Sequence, residues 1–267
     1  MYRSSSPALN DKTFREFGSA VPIAGPMAGD RAANVMTMEG TATKTALLLL
    51  LVIASAAFTW TKAMSEIAFG TEFIGDAFAA VKPWVIGGFL GGLVVAMIII
   101  FKKEMAPVLA PVYAILEGLA LGGISAVFEV AYPGVVVSAV FLTMGVLGGM
   151  LFAYRTGIIR ATAKFKMGIF AATSGIMMVY VIGWIMSMFG SGIPSIHGSG
   201  MMGIGFSLFV VVIAALNLIV DFDLIETGVK SRAPKYMEWY GGFALLVTLV
   251  WLYLEILRLL SKLRSRN

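Results

Sequence analysis

Residues 84–101 read WVIGGFLGGLVVAMIIIF, an unbroken apolar stretch without a single charged side chain. At a rise of about 1.5 Å per residue, this stretch forms a helix roughly 27 Å long, close to the ~30 Å thickness of bilayer hydrocarbon. Its apolar residues do not alternate with polar ones, and continuous apolarity favours a helix over a barrel strand. The stretch therefore predicts a membrane-spanning α-helix.

Six further runs have similar length and apolarity, at about 45–61, 107–128, 135–154, 167–189, 203–222 and 240–260. The sequence thus predicts an all-α polytopic membrane protein, a bundle of seven transmembrane helices, with residues 44–267 as the transmembrane domain. Residues 1–43 are polar and contain no early apolar signal-peptide core. They are expected to form a mostly flexible cytoplasmic tail.

The composition of the whole chain excludes the soluble classes of protein. Apolar residues make up 59% of the chain and charged residues 13%, against about 45–50% and about 25% in soluble domains. With 0 Cys and 1 His, disulfides, thiol catalysis and polyhistidine metal sites are excluded. The net charge of +5 is assigned to orientation in the bilayer and not to nucleic-acid binding.

The distribution of Lys and Arg predicts a cytoplasmic N-terminus, because cytoplasmic loops collect basic residues. In that orientation the outer loops hold only Lys62 and Lys82. The C-terminal tail conflicts with it, because its basic residues lie outside if the seventh run crosses fully. A re-entrant or partly crossing last segment is the alternative. Fourteen of the 20 basic residues lie on the predicted inner side: Arg3, Lys12, Arg15, Arg31, Lys44, Lys102, Lys103, Arg155, Arg160, Lys164, Lys166, Lys230, Arg232 and Lys235.

Three acidic residues, Glu117, Asp221 and Glu255, lie within or at the inner edge of an apolar run. An ionised, unpaired carboxylate at such a position costs roughly 2.5–3.5 kcal/mol. Arg258 is counted with the C-terminal tail, so no basic residue is expected inside a span to neutralise these acids. They are predicted to be protonated, to pair with one another, or to line a wet cavity. For Glu117, an interhelical hydrogen bond made by a neutral carboxyl is an equal alternative to a role in conduction.

Helical spacing distinguishes the acids near the end of the sixth run. Asn217 and Asp221 are four residues apart and share one face of a helix, which makes Asp221 the candidate inward-facing acid. Asp223 lies ~200° around the helix and is expected at headgroup level beside Glu226. If Asp221 and Glu255 share one desolvated site, both cannot ionise cheaply, so the pair would act as a proton-operated switch and supply oxygen ligands for calcium. The alternative is two separate helix-end acids facing lipid headgroups.

No catalytic residue is predicted, and the chain is not expected to be an enzyme or to carry a resident cofactor. Ser174-Gly175 lies in the fifth run, but the only candidate base, His197, falls in an outer loop. Ala172 also stands where a rhomboid-type motif requires glycine. A proton-coupled secondary transporter and a non-conducting regulator that binds other membrane proteins remain as alternatives, although no internal repeat typical of many transporters is visible.

Two C-terminal segments, DFDLIE at 221–226 and WLYLEILRLL at 251–260, carry a resemblance to a known family. With the PVYAILEGLALGGIS stretch at 111–125 and the Lys102-Lys103 loop, the chain resembles the Bax inhibitor family of membrane proteins. The similarity is greater to its bacterial branch, which opens with a longer polar tail. The resemblance implies a seven-helix bundle with the last helix central, located in the bacterial plasma membrane.

The same resemblance implies a function, since bacterial relatives are understood as pH-sensitive calcium leak channels gated by two aspartates on the last two helices. By position Asp221 matches the first acid and Glu255 the second, and Lys102 or Lys103 matches the basic partner that latches the first acid in the closed state. The implied partners are the lipid bilayer, calcium and protons, and protein partners stay unknown. This chain departs from the family in having Glu at the second acid, Lys at the latch, and a longer loop between the two acids.

Overall fold

The structure is a computed structural model that describes residues 34–68, 74–189, 198 and 200–266. The chain divides into two units, Met1–Val35 and Met36–Asn267, and all the helices below belong to the second. Most of the predicted N-terminal tail and the predicted outer-loop residue His197 lie outside the described residues.

Seven α-helices are present in the described part of the second unit. A short 3-10 helix, Lys103–Met105, joins the second of them to the third. Each α-helix contains a stretch long and apolar enough to cross a membrane, so the predicted all-α bundle of seven transmembrane helices is confirmed. The helices are α1 (Met38–Ala68), α2 (Ile74–Phe101), α3 (Ala106–Ala131), α4 (Val135–Arg155), α5 (Ala163–Met188), α6 (Met201–Lys230) and α7 (Met237–Arg264).

The first helix begins at Met38, earlier than the boundary that the polar residues around position 43 suggest. Thr37 precedes it as the N-cap residue: its hydroxyl accepts a hydrogen bond from the backbone N–H of Gly40 at 3.0 Å. A threonine at this position satisfies one of the free N–H groups of the first turn. The cap explains why a polar segment forms helix before the apolar run starts.

Helix α7 is the central helix of the bundle. It contacts α1, α3, α4 and α6, and its spanning segment is the most buried of the seven. Leu246, Leu252 and Leu257 on it are fully buried. The helix is continuous over 28 residues, which is long enough to cross a membrane. The central position that the family resemblance implied is confirmed.

Basic residues near the end of α7 make contacts inside the bundle. Lys262 Nζ donates hydrogen bonds to the backbone oxygen of Gly203 at 3.1 Å and to Ser207 Oγ at 2.8 Å, both on α6. Arg258 forms an ion pair with Glu255. These basic side chains thus bind protein groups.

Glycines let α1 and α3 approach backbone to backbone. A Cβ atom on Gly118 would lie 2.9 Å from Val52 Cα, and one on Gly122 would lie 2.8 Å from the carbonyl carbon of Ala56. Real Cβ atoms do not come this close to backbone, so both positions require glycine, as in small-residue packing of membrane helices. On α4, by contrast, nothing lies within 4 Å of a Cβ placed on Gly149.

Candidate functional site: buried carboxylates along the central helix

Asp221 lies on α6 where that helix packs against α7. The Thr248 hydroxyl of α7 hydrogen-bonds its carboxyl group, and the Tyr240 phenol of α7 lies within electrostatic reach. Its second oxygen, Oδ2, is buried and has no hydrogen-bond partner among the described residues. A buried polar atom without a partner is costly, and in native proteins such an atom calls for an explanation, function being one.

Asn217 does not share this environment, although it lies one turn before Asp221. Its side-chain nitrogen donates to Thr173 Oγ1 of α5 at 2.9 Å and to the backbone oxygen of Ile213 at 2.9 Å. The amide is therefore directed to α5, whereas Asp221 faces α7. The stripe that helical spacing predicted is divided between two helix interfaces.

Glu255 is the most enclosed of the three predicted acids, with 2% of its surface exposed. Its Oε1 atom accepts hydrogen bonds from the Tyr180 hydroxyl of α5 at 2.8 Å and from Arg258 Nη1 at 2.7 Å. Arg258 also donates to the Tyr180 hydroxyl at 2.8 Å, which closes a triangle of three groups. The Oε2 atom is buried and has no partner in the described part of the chain.

The expectation that no basic residue inside a span neutralises these acids was wrong for Glu255. Arg258 belongs to α7 and lies three residues further along it, so the two side chains are neighbours on one helical face. Their ion pair gives Glu255 a fixed positive partner within the bundle.

Asp221 of α6 and Glu255 of α7 lie at different levels along the bundle, and no contact joins their carboxyl groups among the described residues. Asp221 is level with Thr248, and Thr248 and Glu255 are seven residues apart, which is about 10 Å along a helix axis. Leu218 and Leu252, both fully buried, lie in this interval and belong to the same apolar core. Each position offers one carboxylate, and calcium binding by either stays a prediction.

The predicted latch is not formed in this structure. Among the described residues, no ion pair joins Lys102 or Lys103 to Asp221. Lys103 Nζ instead lies 5.2 Å from the ring centroid of Tyr240, a cation–π distance. Lys103 and Asp221 therefore approach the same aromatic residue of α7, and a direct contact between them stays a prediction.

Glu117 faces α2 from its position on α3. Its carboxyl group hydrogen-bonds with Tyr113 one turn earlier, and a Cβ atom placed on Gly92 of α2 would lie 3.0 Å from Glu117 Oε2. This placement separates Glu117 from the α6–α7 interface that holds Asp221. Its role in conduction stays a prediction.

Sequence reasoning missed Glu238, a fully buried acid in the first turn of α7. Its Oε1 atom accepts from the backbone N–H of Thr37 at 2.9 Å and from the Thr37 hydroxyl at 2.8 Å. It also forms ion pairs with Lys44 and, at 2.9 Å, with Lys235. Through these hydrogen bonds and ion pairs, Glu238 connects the start of α1 to the start of α7. The sequence feature that could have identified Glu238 is an acid in the first turn of a helix with a lysine three residues before it.

Asp223 and Glu226 lie away from the central helix, in a cleft at the C-terminal end of α6. Asp223 forms an ion pair with Lys166 of α5. Glu226 pairs with Lys230 at 2.5 Å and accepts a hydrogen bond from the Tyr154 hydroxyl. Both acids thus have basic partners, in contrast to Asp221.

Taken together, the fold and these acids define an integral membrane protein of the polytopic α-helical class, with carboxyl groups on or beside its central helix. The family model described as Bax inhibitor 1 like matches residues 6–265, nearly the whole chain. The protein belongs to that family, which confirms the resemblance carried by its C-terminal segments. No curated protein and no solved structure matches the chain.

Proposed function

We propose that the protein is a pH-sensitive cation leak channel, with calcium as the conducted ion, in the bacterial plasma membrane and with its N-terminus cytoplasmic. Family membership supports the proposal. The observation that carries it is the pair of buried carboxylates, Asp221 on α6 and Glu255 on α7, each with one oxygen that has no partner in the described part of the chain. The proposal assigns no catalytic reaction to the protein.

The proposed pathway follows α7 past both acids. A cation entering from the C-terminal end of α6 meets Asp221 first and Glu255 about 10 Å further on. One carboxylate at each position binds weakly, and conduction requires binding that is weak enough for the ion to leave. Leu218 and Leu252, between the two acids, form a fully buried apolar layer. This layer excludes water and corresponds to a closed state, as hydrophobic constrictions do in other channels.

The proposed pH response depends on the charged and titratable groups that face the two acids. Tyr240 lies near Asp221. Glu255 faces Tyr180 of α5 together with Arg258 and Lys262 of α7. Glu255 supplies a charged oxygen ligand on this pathway, and its ion pair with Arg258 lies within α7. Acidification is expected to open the apolar layer through neutralisation of Asp221, which Asp221→Asn mimics.

Calcium flux into liposomes that contain the purified protein and an entrapped calcium indicator tests this proposal between pH 5 and 8. Asp221→Asn is expected to raise the resting leak and to flatten its pH dependence. Glu255→Gln is expected to reduce calcium flux and to shift or abolish the acid dependence, with a smaller loss in Glu255→Asp. Glu129→Gln is the matched control, because both Glu129 oxygens accept backbone hydrogen bonds, one from Gly134 and one from Val136 at the start of α4.

The three functional classes give different results in this assay. A channel passes calcium down its gradient without a co-substrate, a transporter requires one, and a non-conducting regulator passes nothing. If wild type and Glu255→Gln conduct calcium alike across the pH range, Glu255 is a packing residue and the two-carboxylate pathway is wrong.

The apolar layer has a test of its own. Leu252→Ala is expected to raise the resting leak severalfold, because a smaller side chain admits water between the two acids. Leu257→Ala is the matched control, since Leu257 is equally buried on α7 but lies beyond Glu255. Equal leaks in the two variants would show that loosened packing, and not a local constriction, determines the flux.

A further inference from the structure

A cleft of about 730 Å³ opens at the end of the bundle where α4 and α6 finish and α5 begins. Its volume is in the range of about 300–1,000 Å³ that small-ligand sites occupy. The polar side chains that line it come from α4, from α6 and from the loop between α4 and α5. They are Tyr154, Arg155, Arg160, Thr162, Asp223, Glu226 and Lys230.

The charges in this cleft do not cancel. Asp223 is paired with Lys166, and Glu226 is paired with Lys230. Arg155 and Arg160 form no ion pair with any acid in the described part of the chain. Neither guanidinium group therefore has an ion-pair partner among the described residues, and the charge of Arg155 acts on Glu226 without a direct contact.

The loop between α4 and α5 brings the two arginines to one cleft. Gly157 has a φ angle of +72°, a left-handed conformation that glycine adopts without steric cost. Its N–H donates to the backbone oxygen of Tyr154 at 3.1 Å, and the Ile159 N–H donates to that of Ala153 at 3.2 Å. The chain thus reverses directly after α4, and Arg160 Nε comes within 3.8 Å of the Cβ position of Gly157.

We propose that this cleft binds a phosphate group through Arg155 and Arg160, and that the phosphate belongs to the headgroup of an anionic phospholipid. Planar guanidinium groups match phosphate oxygens in bidentate geometry. Both arginines lie at or just beyond the end of a spanning helix, at headgroup depth, and basic pockets between membrane helices accept anionic headgroups. Ile159 and Val229 supply apolar lining in the same cleft for the first methylene groups of the acyl chains of such a lipid.

Lipid binding by the detergent-purified full chain tests the proposal, with thermal stability and native mass spectrometry as readouts. Phosphatidylglycerol is expected to raise the melting temperature and to remain bound, whereas phosphatidylcholine has neither effect. In Arg155→Gln and Arg160→Gln the apparent affinity for phosphatidylglycerol should fall about tenfold each, and the double variant should lose the effect. Lys164→Gln is the matched control, because Lys164 is an exposed basic residue nearby that does not line the cleft.

Both arginine side chains are exposed, so the variants are expected to fold, and an unchanged melting temperature without lipid verifies this. Equal phosphatidylglycerol binding by the double variant and the wild type would overturn the site. A separate arm adds inorganic phosphate alone. Stabilisation by inorganic phosphate to the same extent as by phosphatidylglycerol would overturn the lipid assignment and identify a site for soluble phosphate.

Discussion

Replacing Asp221 and replacing Glu238 should change the stability of this protein in opposite directions. Asp221 has a buried oxygen without a partner among the described residues, whereas Glu238 accepts hydrogen bonds from Thr37 and pairs with two lysines. An acid with a functional role and no partner lowers the free energy of unfolding, whereas an acid that joins two helices through its contacts raises it. The variants Asp221→Leu and Glu238→Met, each of similar shape to the original residue, separate these two cases.

The expected magnitudes follow from the partners of each carboxyl group. Removing an unsatisfied buried polar atom recovers about 1–3 kcal/mol, and losing the hydrogen bond with Thr248 costs about 0.5–1.5 kcal/mol. Asp221→Leu should therefore raise the free energy of unfolding by roughly 1 kcal/mol. Glu238→Met removes the acceptor of the two Thr37 hydrogen bonds and leaves Lys44 and Lys235, which are 20% and 44% exposed, without their partner. It should lower the free energy of unfolding by about 1–3 kcal/mol.

Equilibrium unfolding of the protein in mixed micelles, followed by the fluorescence of its 5 Trp residues, measures both changes. Glu39→Gln is the control, since Glu39 is an exposed acid in the first turn of α1, and it should change stability by less than about 1 kcal/mol. If Asp221→Leu lowers the free energy of unfolding by more than about 1 kcal/mol, its carboxyl group is structural. The interpretation of Asp221 as a functional acid kept at a cost is then refuted.

Two further predictions concern helix packing and topology. Gly122→Ala should lower the free energy of unfolding by about 1–3 kcal/mol, because its methyl group meets the α1 backbone. The control Gly149→Ala, with open space around it, should be neutral or slightly stabilising. Equal effects of the two variants on unfolding in micelles would contradict the close packing of α1 and α3. Because the chain has 0 Cys, single cysteines report topology without background. Lys62→Cys should react with an impermeant maleimide in intact cells and Lys164→Cys only after permeabilisation, and the reverse pattern would overturn the proposed orientation.

The sequence by itself determined the class of protein and the number of spanning helices. In hydrocarbon, backbone N–H and C=O groups must be satisfied within the segment, so an apolar run of sufficient length is committed to a helix before any tertiary contact forms. The apolar runs around 84–101 and 240–260 therefore predict spanning helices from their local sequence alone. The motifs around Asp221 and Glu255 likewise sufficed to indicate the family.

Only the tertiary structure decided which side chains meet. Helical spacing shows that Asn217 and Asp221 share a side of α6, but the division of that side between α5 and α7 depends on where the neighbouring helices lie. The contact of Glu238 with Thr37 joins residues 201 positions apart in the chain, and no local pattern encodes it. Side-chain partners across helices depend on the rotation and depth of each helix in the bundle, which packing sets. For that reason the sequence identified the acids within the spans, while the structure determined that Asp221 of α6 and Glu255 of α7 lie at separate levels of the bundle.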